Sequence, residues 1–254
     1  MMRNKKLILF DLDDTLLNSS KEISPHNAKA IVNCKAAGHI MGYITARSLR
    51  KVKAFLGDLP CDCIAYYNGA TLYAGDVLFR KNLIPYKIGM EVMRKIRSAY
   101  PRVRIGAYLE PYSFFDGELR EITTGKASRV ELMDLPGCDF QRIRIVFDPT
   151  EGFDPDGFLT DELRGYVSVH GSAVIVHQNA RKENALRTFA DHFGVPLSDV
   201  VAFGDDINDI GMISAAGVGV AMGNAAQPVK EAADAIADTN DNDGVAKWLN
   251  QNLL

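Results

Sequence analysis

No C-x2-C pair and no H-E-x-x-H segment occurs in the sequence, whose four cysteines (Cys34, Cys61, Cys63, Cys138) and five histidines (His26, His39, His170, His177, His192) are scattered. That scatter excludes the usual zinc sites and offers no disulfide framework. Cys61 and Cys63, two apart, read as reduced thiols on one face of a strand. An excess of charge of one sign is also missing. Lys and Arg number 29 against 32 Asp and Glu, a net of −3, which leaves no global electrostatic footprint for nucleic acid or an anionic membrane and points to small-molecule chemistry. No apolar run approaches the roughly 18 residues that a membrane-spanning helix needs. The basic start, Met1 to Lys6, is followed by only four apolar residues before Asp11. That is too few for the apolar region of an export signal, so the expected location is the cytoplasm. The glycines between Gly217 and Gly223 are not spaced as G-x-G-x-x-G, and no P-loop is present.

What is there begins at the first strand. Leu7-Ile8-Leu9-Phe10 is an unbroken apolar run of strand length, the pattern of a strand buried on both faces in a parallel sheet. Asp11, Asp13 and Asp14 follow at once, where the carboxyl ends of such strands line a ligand crevice. If the backbone stays near-extended through Leu12, Asp11 and Asp13 point the same way and Leu12 turns into the core. Two like charges about 5 Å apart repel by about 3 kcal/mol at an effective dielectric near 20, so something must offset them. A hard divalent cation with oxygen ligands does so, and a carboxylate is also a recognised covalent nucleophile. The plain alternative is an Asp-rich turn that only ends a strand.

The chain then alternates. Ser24-Pro25 starts a helix that Gly38 ends, Pro25 to Ala37, with Ala28, Ile31, Val32 and Ala36 as its apolar face. Ile40 to Ile44 is a second strand, ending in Thr45-Ala46-Arg47-Ser48 and a helix through Leu56. Thr45 is placed to donate to a phosphoryl oxygen or to cap that helix. Cys61 to Tyr67 is a third strand, with Asn68-Gly69 as a turn.

From about Leu83 to Gln178 the texture changes to α+β. A helix, Tyr86 to Ala99, precedes strands at Val103 to Tyr108, Gln141 to Phe147, Tyr166 to His170 and Ala173 to Gln178. Arg142 and Arg144 alternate with Ile143 and Ile145, as in a sheet with one wet face. After Arg181 the first texture returns: a helix from Glu183 to Phe193, a buried strand Val200 to Phe203, and a second acidic cluster, Gly204-Asp205-Asp206-Ile207-Asn208-Asp209. Strands at Val218 to Met222 and Ala235 to Ala237 follow, then a terminal helix around Trp248. The expected fold class is α/β, a Rossmann-like parallel-sheet core (residues 1–82 and 179–254) with an inserted α+β cap domain (residues 83–178).

D-L-D-D-T-L, Y-I-T-A-R, the lysine of R-K-E-N-A-L and G-D-D-I-N-D, in that order, closely resemble the haloacid dehalogenase superfamily. The insertion between the second and third motifs resembles its Cof-type branch, as do Asn68-Gly69-Ala70, Ala221 to Ala225 and Asn242 to Val245. The resemblance implies a phosphohydrolase acting on small phosphorylated metabolites, such as sugar phosphates. Asp11 would be the nucleophile that becomes an aspartyl-phosphate, and Asp13 the general acid and base. Mg²⁺ would be held by Asp11, the backbone carbonyl of Asp13, Asp205, and Asp209 directly or through water. Thr45 and Lys182 would neutralise phosphoryl oxygens, Asn208 would orient Lys182 or a metal-bound water, and Arg47 could reach substrate. Glu183 stands where the family often has Gly. A phosphomutase or phosphotransferase on the same core, or a non-catalytic phosphate- or metal-binding regulator, are the alternative readings. Arg142, Arg144 and His170 are polar candidates on the cap.

Overall fold

The computed structural model describes residues 5–48, 52, 55–121, 126–168 and 171–254. In chain order the first elements are β1 (Leu7–Phe10), α1 (Pro25–Ala36), β2 (Ile40–Ile44), β3 (Cys63–Tyr66), β4 (Thr71–Ala74) and β5 (Val77–Lys81). Then come α2 (Tyr86–Ala99), β6 (Arg104–Leu109), β7 (Tyr112–Phe115), β8 (Glu118–Glu121), β9 (Ala127–Arg129), β10 (Arg142–Val146), β11 (Leu163–Ser168) and β12 (Ser172–His177). The chain closes with α3 (Lys182–Phe193), β13 (Val200–Gly204), α4 (Ile210–Ala215), β14 (Val218–Ala221), α5 (Gln227–Glu231), β15 (Ala235–Ile236) and α6 (Gly244–Asn252). These form two compact units, one of Met1–Arg80 with Arg181–Leu254 and one of Lys81–Ala180. Most of the helix expected after Ser48, and His170, lie outside the described residues.

The first unit is built on a sheet of order β15-β14-β13-β1-β2-β3-β4-β5. β1 sits between β13 and β2, parallel to both, with Leu7 opposite Val200 and Ile40. All four β1 residues are fully buried, because helices cover both faces of a parallel sheet. Truncating one of them, Leu9→Ala for instance, costs about 2 to 5 kcal/mol by loss of burial and the cavity left behind. β4 pairs antiparallel with β3 and β5 lies beside it, two short strands whose mixed patterns gave no sequence signal.

α1 buries a different stripe from the expected one. Asn27, Ala30, Ile31 and Cys34 point inward, while Val32 is 48% exposed. The reason is polar: the Asn27 side-chain oxygen accepts the Ala246 N–H at 2.8 Å, docking α1 on the start of α6 and fixing its rotation. The Ser24 hydroxyl caps α1 by accepting the Asn27 N–H.

The second unit is an antiparallel sheet of order β11-β12-β10-β6-β7-β8-β9. Met90, Met93 and Ile96 of α2 pack on Ile105, Ala107, Ile143, Ile145, Ala173 and Ile175, all on one sheet face by the period-2 rule. α2 carries five buried residues along one face, which is why its limits were readable. β7, β8 and β9 were not, since their short segments mix exposed and half-buried positions without regular alternation. Among the described residues, no helix is long and apolar enough to cross a membrane.

Candidate active site

The carboxyl ends of β1, β2 and β13 carry Asp11, Thr45 and Asp205, and α3 opens with Lys182. After Asp11 the chain does not stay extended as expected. It closes a wide turn in which the Leu17 N–H donates to the Leu12 carbonyl at 2.8 Å. Asp14 takes a left-handed conformation (φ 57°) there, which Asp tolerates better than most residues. Leu12 is still fully buried, but Asp11 and Asp13 take different partners.

Asp11 Oδ1 accepts from Lys182 Nζ at 2.7 Å, and Asp209 Oδ1 accepts from the same nitrogen at 2.6 Å. All three groups are buried, Lys182 at 2% exposure. Asp209 Oδ2 also accepts the backbone N–H groups of Asp205 and Asp206, at 3.2 and 3.1 Å. This fold-back needs Gly204, where a Cβ would stand 2.5 Å from Asp209 Cβ. Asp205 Oδ1 accepts from the Thr15 hydroxyl at 2.6 Å. One ligand atom each of Asp11, Asp205 and Asp209 lies within 4.8 Å of the others.

Asp13 points elsewhere. Arg47 forks onto it, Nε donating to Oδ2 at 2.6 Å and Nη2 to Oδ1. The guanidinium stacks 4.4 Å from the Phe55 ring centroid, and Lys21 stands 3.5 Å from Asp13 Oδ1. The Thr45 hydroxyl oxygen accepts the Arg47 backbone N–H at 3.1 Å, leaving its own proton to donate. Tyr67, Asn68 and Gly69 all have positive φ. Their turn returns the Asn68 N–H to the Thr45 carbonyl and the Tyr67 N–H to that of Arg47. At Gly69 a Cβ would meet the Arg181 carbonyl at 2.9 Å, so the same turn packs on the start of α3.

Asn208 does not reach Lys182. It is exposed, because the short turn after Asp206 aims residue 209, not 208, back at the lysine. Three further contacts were not legible. Thr15 holds Asp205, Asn224 Nδ2 donates to the Asp14 carbonyl at 2.7 Å, and Asn240 Nδ2 donates to the Leu17 carbonyl at 3.0 Å.

Burial pushes the Asp11 carboxyl up to about 8 against the pull of Lys182, with the negative Asp209 and Asp205 adding to the rise. Burial lowers Lys182, but its two carboxylates outweigh that and hold it above its ordinary value, as a cation. Asp205 is raised by burial to about 6 despite its Thr15 hydrogen bond. For Asp13, partial burial pulls upward, yet the hydrogen bond and charge of Arg47, helped by Lys21, bring it below the usual carboxylate value. The two aspartates of one turn are thus driven in opposite directions. Ionising all three carboxylates around one ammonium would leave the cluster with an excess of negative charge, which is why Asp11 and Asp205 hold their protons more tightly than ordinary carboxyls. Each pair about 5 Å apart repels by about 3 kcal/mol at an effective dielectric near 20. Oxygen donors with surplus negative charge fit a hard divalent cation.

A parallel sheet whose strand tips hold an acidic, lysine-balanced centre, in a chain interrupted by an α+β unit, marks an α/β enzyme that handles charged groups. Residues 8–130 and 154–249 match the family model of haloacid dehalogenase-like hydrolases. The protein belongs to that family, in its Cof-type branch, and is a phosphatase. Two Bacillus subtilis proteins named 5-amino-6-(5-phospho-D-ribitylamino)uracil phosphatase are similar over their whole length. YwtE is 30% identical over 283 residues, covering 98% of this chain and 98% of its own. YcsE is 29% identical over 256 residues, covering 98% and 96%. A solved haloacid dehalogenase-like hydrolase from Bacteroides thetaiotaomicron is 26% identical, with a TM-score of 0.82 over 98% of this chain and 99% of that one.

Proposed function

We propose that the protein hydrolyses small phosphate monoesters, sugar phosphates or similar alcohol phosphates, with Mg²⁺ and through an aspartyl-phosphate on Asp11. The observation that carries this reading is the split between two neighbouring aspartates. Asp11 is buried against Lys182 beside Asp205 and Asp209, whereas Asp13 is held apart by Arg47. Asp11 Oδ1 is engaged by Lys182, leaving the other oxygen to attack phosphorus and form the acyl phosphate as the ester P–O bond breaks. The Asp13 carboxyl delivers its proton to the leaving alkoxide, then takes one from the water that cleaves the acyl phosphate and returns Asp11 as carboxylate. Arg47 keeps Asp13 on station, and must loosen its grip when Asp13 carries the proton. Lys182 and the Thr45 hydroxyl face negative phosphoryl oxygens, where fixed positive charge and donors count most.

Mg²⁺ would be held by one oxygen of Asp11, the Asp13 backbone carbonyl and Asp205. Asp209, its oxygens already taken by Lys182 and two amides, would act through water. When bound, it supplies charge neutralisation to the phosphoryl group in transfer. Apart from Asp13 at the leaving oxygen, which every ester shares, these groups would grip only phosphate and metal, so discrimination among leaving groups is assigned to the Lys81–Ala180 unit. The phosphorylated ribityl substrate in the names of the Bacillus relatives supports an alcohol phosphate. The test is a panel of phosphate monoesters with purified protein and Mg²⁺, read as free inorganic phosphate. Turnover of several alcohol phosphates is expected. Phosphate consumed from the ester but recovered on an acceptor alcohol would instead make the protein a phosphotransferase.

A further inference from the structure

The turn that follows Asp11 is gripped by loops from the far end of the chain. Asn224 Nδ2 donates to the Asp14 carbonyl at 2.7 Å, and Asn224 Oδ1 accepts the Asn240 N–H at 3.0 Å. Asn240 Nδ2 in turn donates to the Leu17 carbonyl at 3.0 Å. Two carbonyls of one turn are thus taken by two side-chain amides that are themselves joined through a backbone N–H. Just beyond, the Ser19 amide and hydroxyl both donate to Asp241. All of these residues belong to the first unit.

The turn needs such a grip. Asp14 stands at φ 57°, a conformation unfavourable for a residue with a Cβ, and its side chain is exposed, so packing does not fix it. Asn224 is exposed as well, so hydrogen bonds rather than burial hold it in place. The loop that carries it also reaches the other acidic strand end. The Met222 N–H donates to the Gly204 carbonyl at 3.0 Å and the Ala226 N–H to the Asp205 carbonyl at 3.2 Å. Gly223 lets the loop lie close against its neighbours, since a Cβ there would stand 3.0 Å from the Thr239 nitrogen and 3.1 Å from the Ala237 carbonyl oxygen. Residues 222–226 therefore bond to the backbone of both acidic segments, through the Asn224 side chain on the Asp14 side and through main-chain N–H groups on the Asp205 side.

The peptide linking Asp13 to Asp14 lies between two fixed points. Arg47 holds the Asp13 side chain, and Asn224 holds the Asp14 carbonyl. We propose that Asn224 is a positioning residue that fixes the spacing between the turn after Asp11 and the Asp205 segment, and with it the spacing of the Asp13 carbonyl and the Asp205 carboxylate. The inference rests on the function proposed above, which assigns both oxygens to Mg²⁺. A preorganised ligand set binds its ion and keeps the nucleophile in line without rearranging at each turnover, and a slack one does not. The Thr15–Asp205 hydrogen bond ties the same two segments independently, so loss of Asn224 should slacken the turn rather than unfold it. The rival role is structural: Asn224 serves the Asn240 N–H and pins the last loop.

Wild type, Asn224→Ala and Asn224→Asp are compared as full chains. The Asp variant keeps an oxygen for the Asn240 N–H and loses the donor to Asp14. Its added negative charge would by itself tighten cation binding, so weaker binding there reports the lost donor. Hydrogen exchange in EDTA, read by mass spectrometry, should show the amides of residues 12–17 exchanging about tenfold faster in both variants, the size of one lost hydrogen bond. Peptides from α1 and β2 should be unchanged, and the melting temperature in EDTA should fall by less than about 4 °C. The Mg²⁺ concentration that gives half-maximal thermal stabilisation should rise about tenfold, and kcat for an aryl phosphate should fall about tenfold with KM altered less than about twofold. A wild-type Mg²⁺ response and kcat in both variants overturn the proposal, whatever the exchange rates. So does Asn224→Asp matching wild type where Asn224→Ala does not, or a fall in melting temperature above about 10 °C in both, since either makes the residue a structural pin. If wild type neither turns over the ester nor is stabilised by Mg²⁺, the proposed function falls, and the exchange rates still decide whether Asn224 holds the turn.

Discussion

The two sheets of this molecule put charge in different places, and the difference follows from what covers them. β1, β2, β3 and β13 are buried on both faces, so polar chemistry is confined to the strand ends. There Lys182 is bonded to Asp11 and Asp209, all three with almost no access to water, and half-buried Asp205 stands beside them. The antiparallel sheet has one face against α2 and one bearing Arg142, Arg144 and Arg164, so its charge is spread across a surface. A buried charge must be balanced by a fixed partner, and losing the partner is costly; an exposed charge is screened and cheap to change. Substitutions in the two sheets should therefore differ sharply in kind and in size.

The largest effect is catalytic. Asp11→Asn keeps the side-chain shape and removes the nucleophile, so turnover should fall by about 10³-fold or more while the circular dichroism spectrum holds. Next comes the buried cation. Lys182→Met leaves three carboxylates without their ammonium and should destabilise the metal-free protein by about 3 kcal/mol, less than the full penalty because Asp11 can take up a proton. Urea unfolding in EDTA measures this, and a loss within error of zero would mean the cluster is not charged in the resting protein.

A pH effect follows from the same carboxylates. Asp205 and Asp11 are raised to about 6 and about 8 by burial, so between the unfolded value near 3.9 and these values the native state binds more protons than the unfolded chain. Metal-free stability should accordingly fall as pH rises from 5 to 8. Asp13, held below its ordinary value, acts in the opposite sense only below about pH 4. Millimolar Mg²⁺ should cancel the fall, since it binds the ionised groups and only the native state. Melting curves across this range in EDTA and in Mg²⁺ test both signs. The smallest effect belongs to the other sheet: Arg144→Gln should shift unfolding by less than about 0.5 kcal/mol.

Much of this was legible because it is local. Four apolar residues ending in aspartate, a Ser-Pro start or a Gly stop are written within a few positions, and β1, α2 and α3 lie within a residue of their expected limits. What could not be read is set by long-range contact. The Thr15–Asp205 hydrogen bond joins residues 190 apart and the Asn240–Leu17 bond residues 223 apart. The rotation of α1 depends on Asn27 meeting α6, and the direction of Asn208 on a turn that closes through Asp209. The motif order could suggest which aspartates belong together, but not that Arg47 would claim Asp13 while Lys182 claimed Asp11.

That division between two aspartates is most directly tested by trapping the covalent intermediate. In Asp13→Ala an aryl phosphate, whose leaving group needs no proton, should still phosphorylate Asp11, and without a base for water the acyl phosphate should accumulate. Rapid acid quench and peptide mass spectrometry should then find one phosphoryl group in the segment Leu7–Leu17, absent from Asp11→Asn. A phosphoryl group on another residue, or turnover of the aryl phosphate with none on the protein, would contradict the assignment of Asp11 as nucleophile.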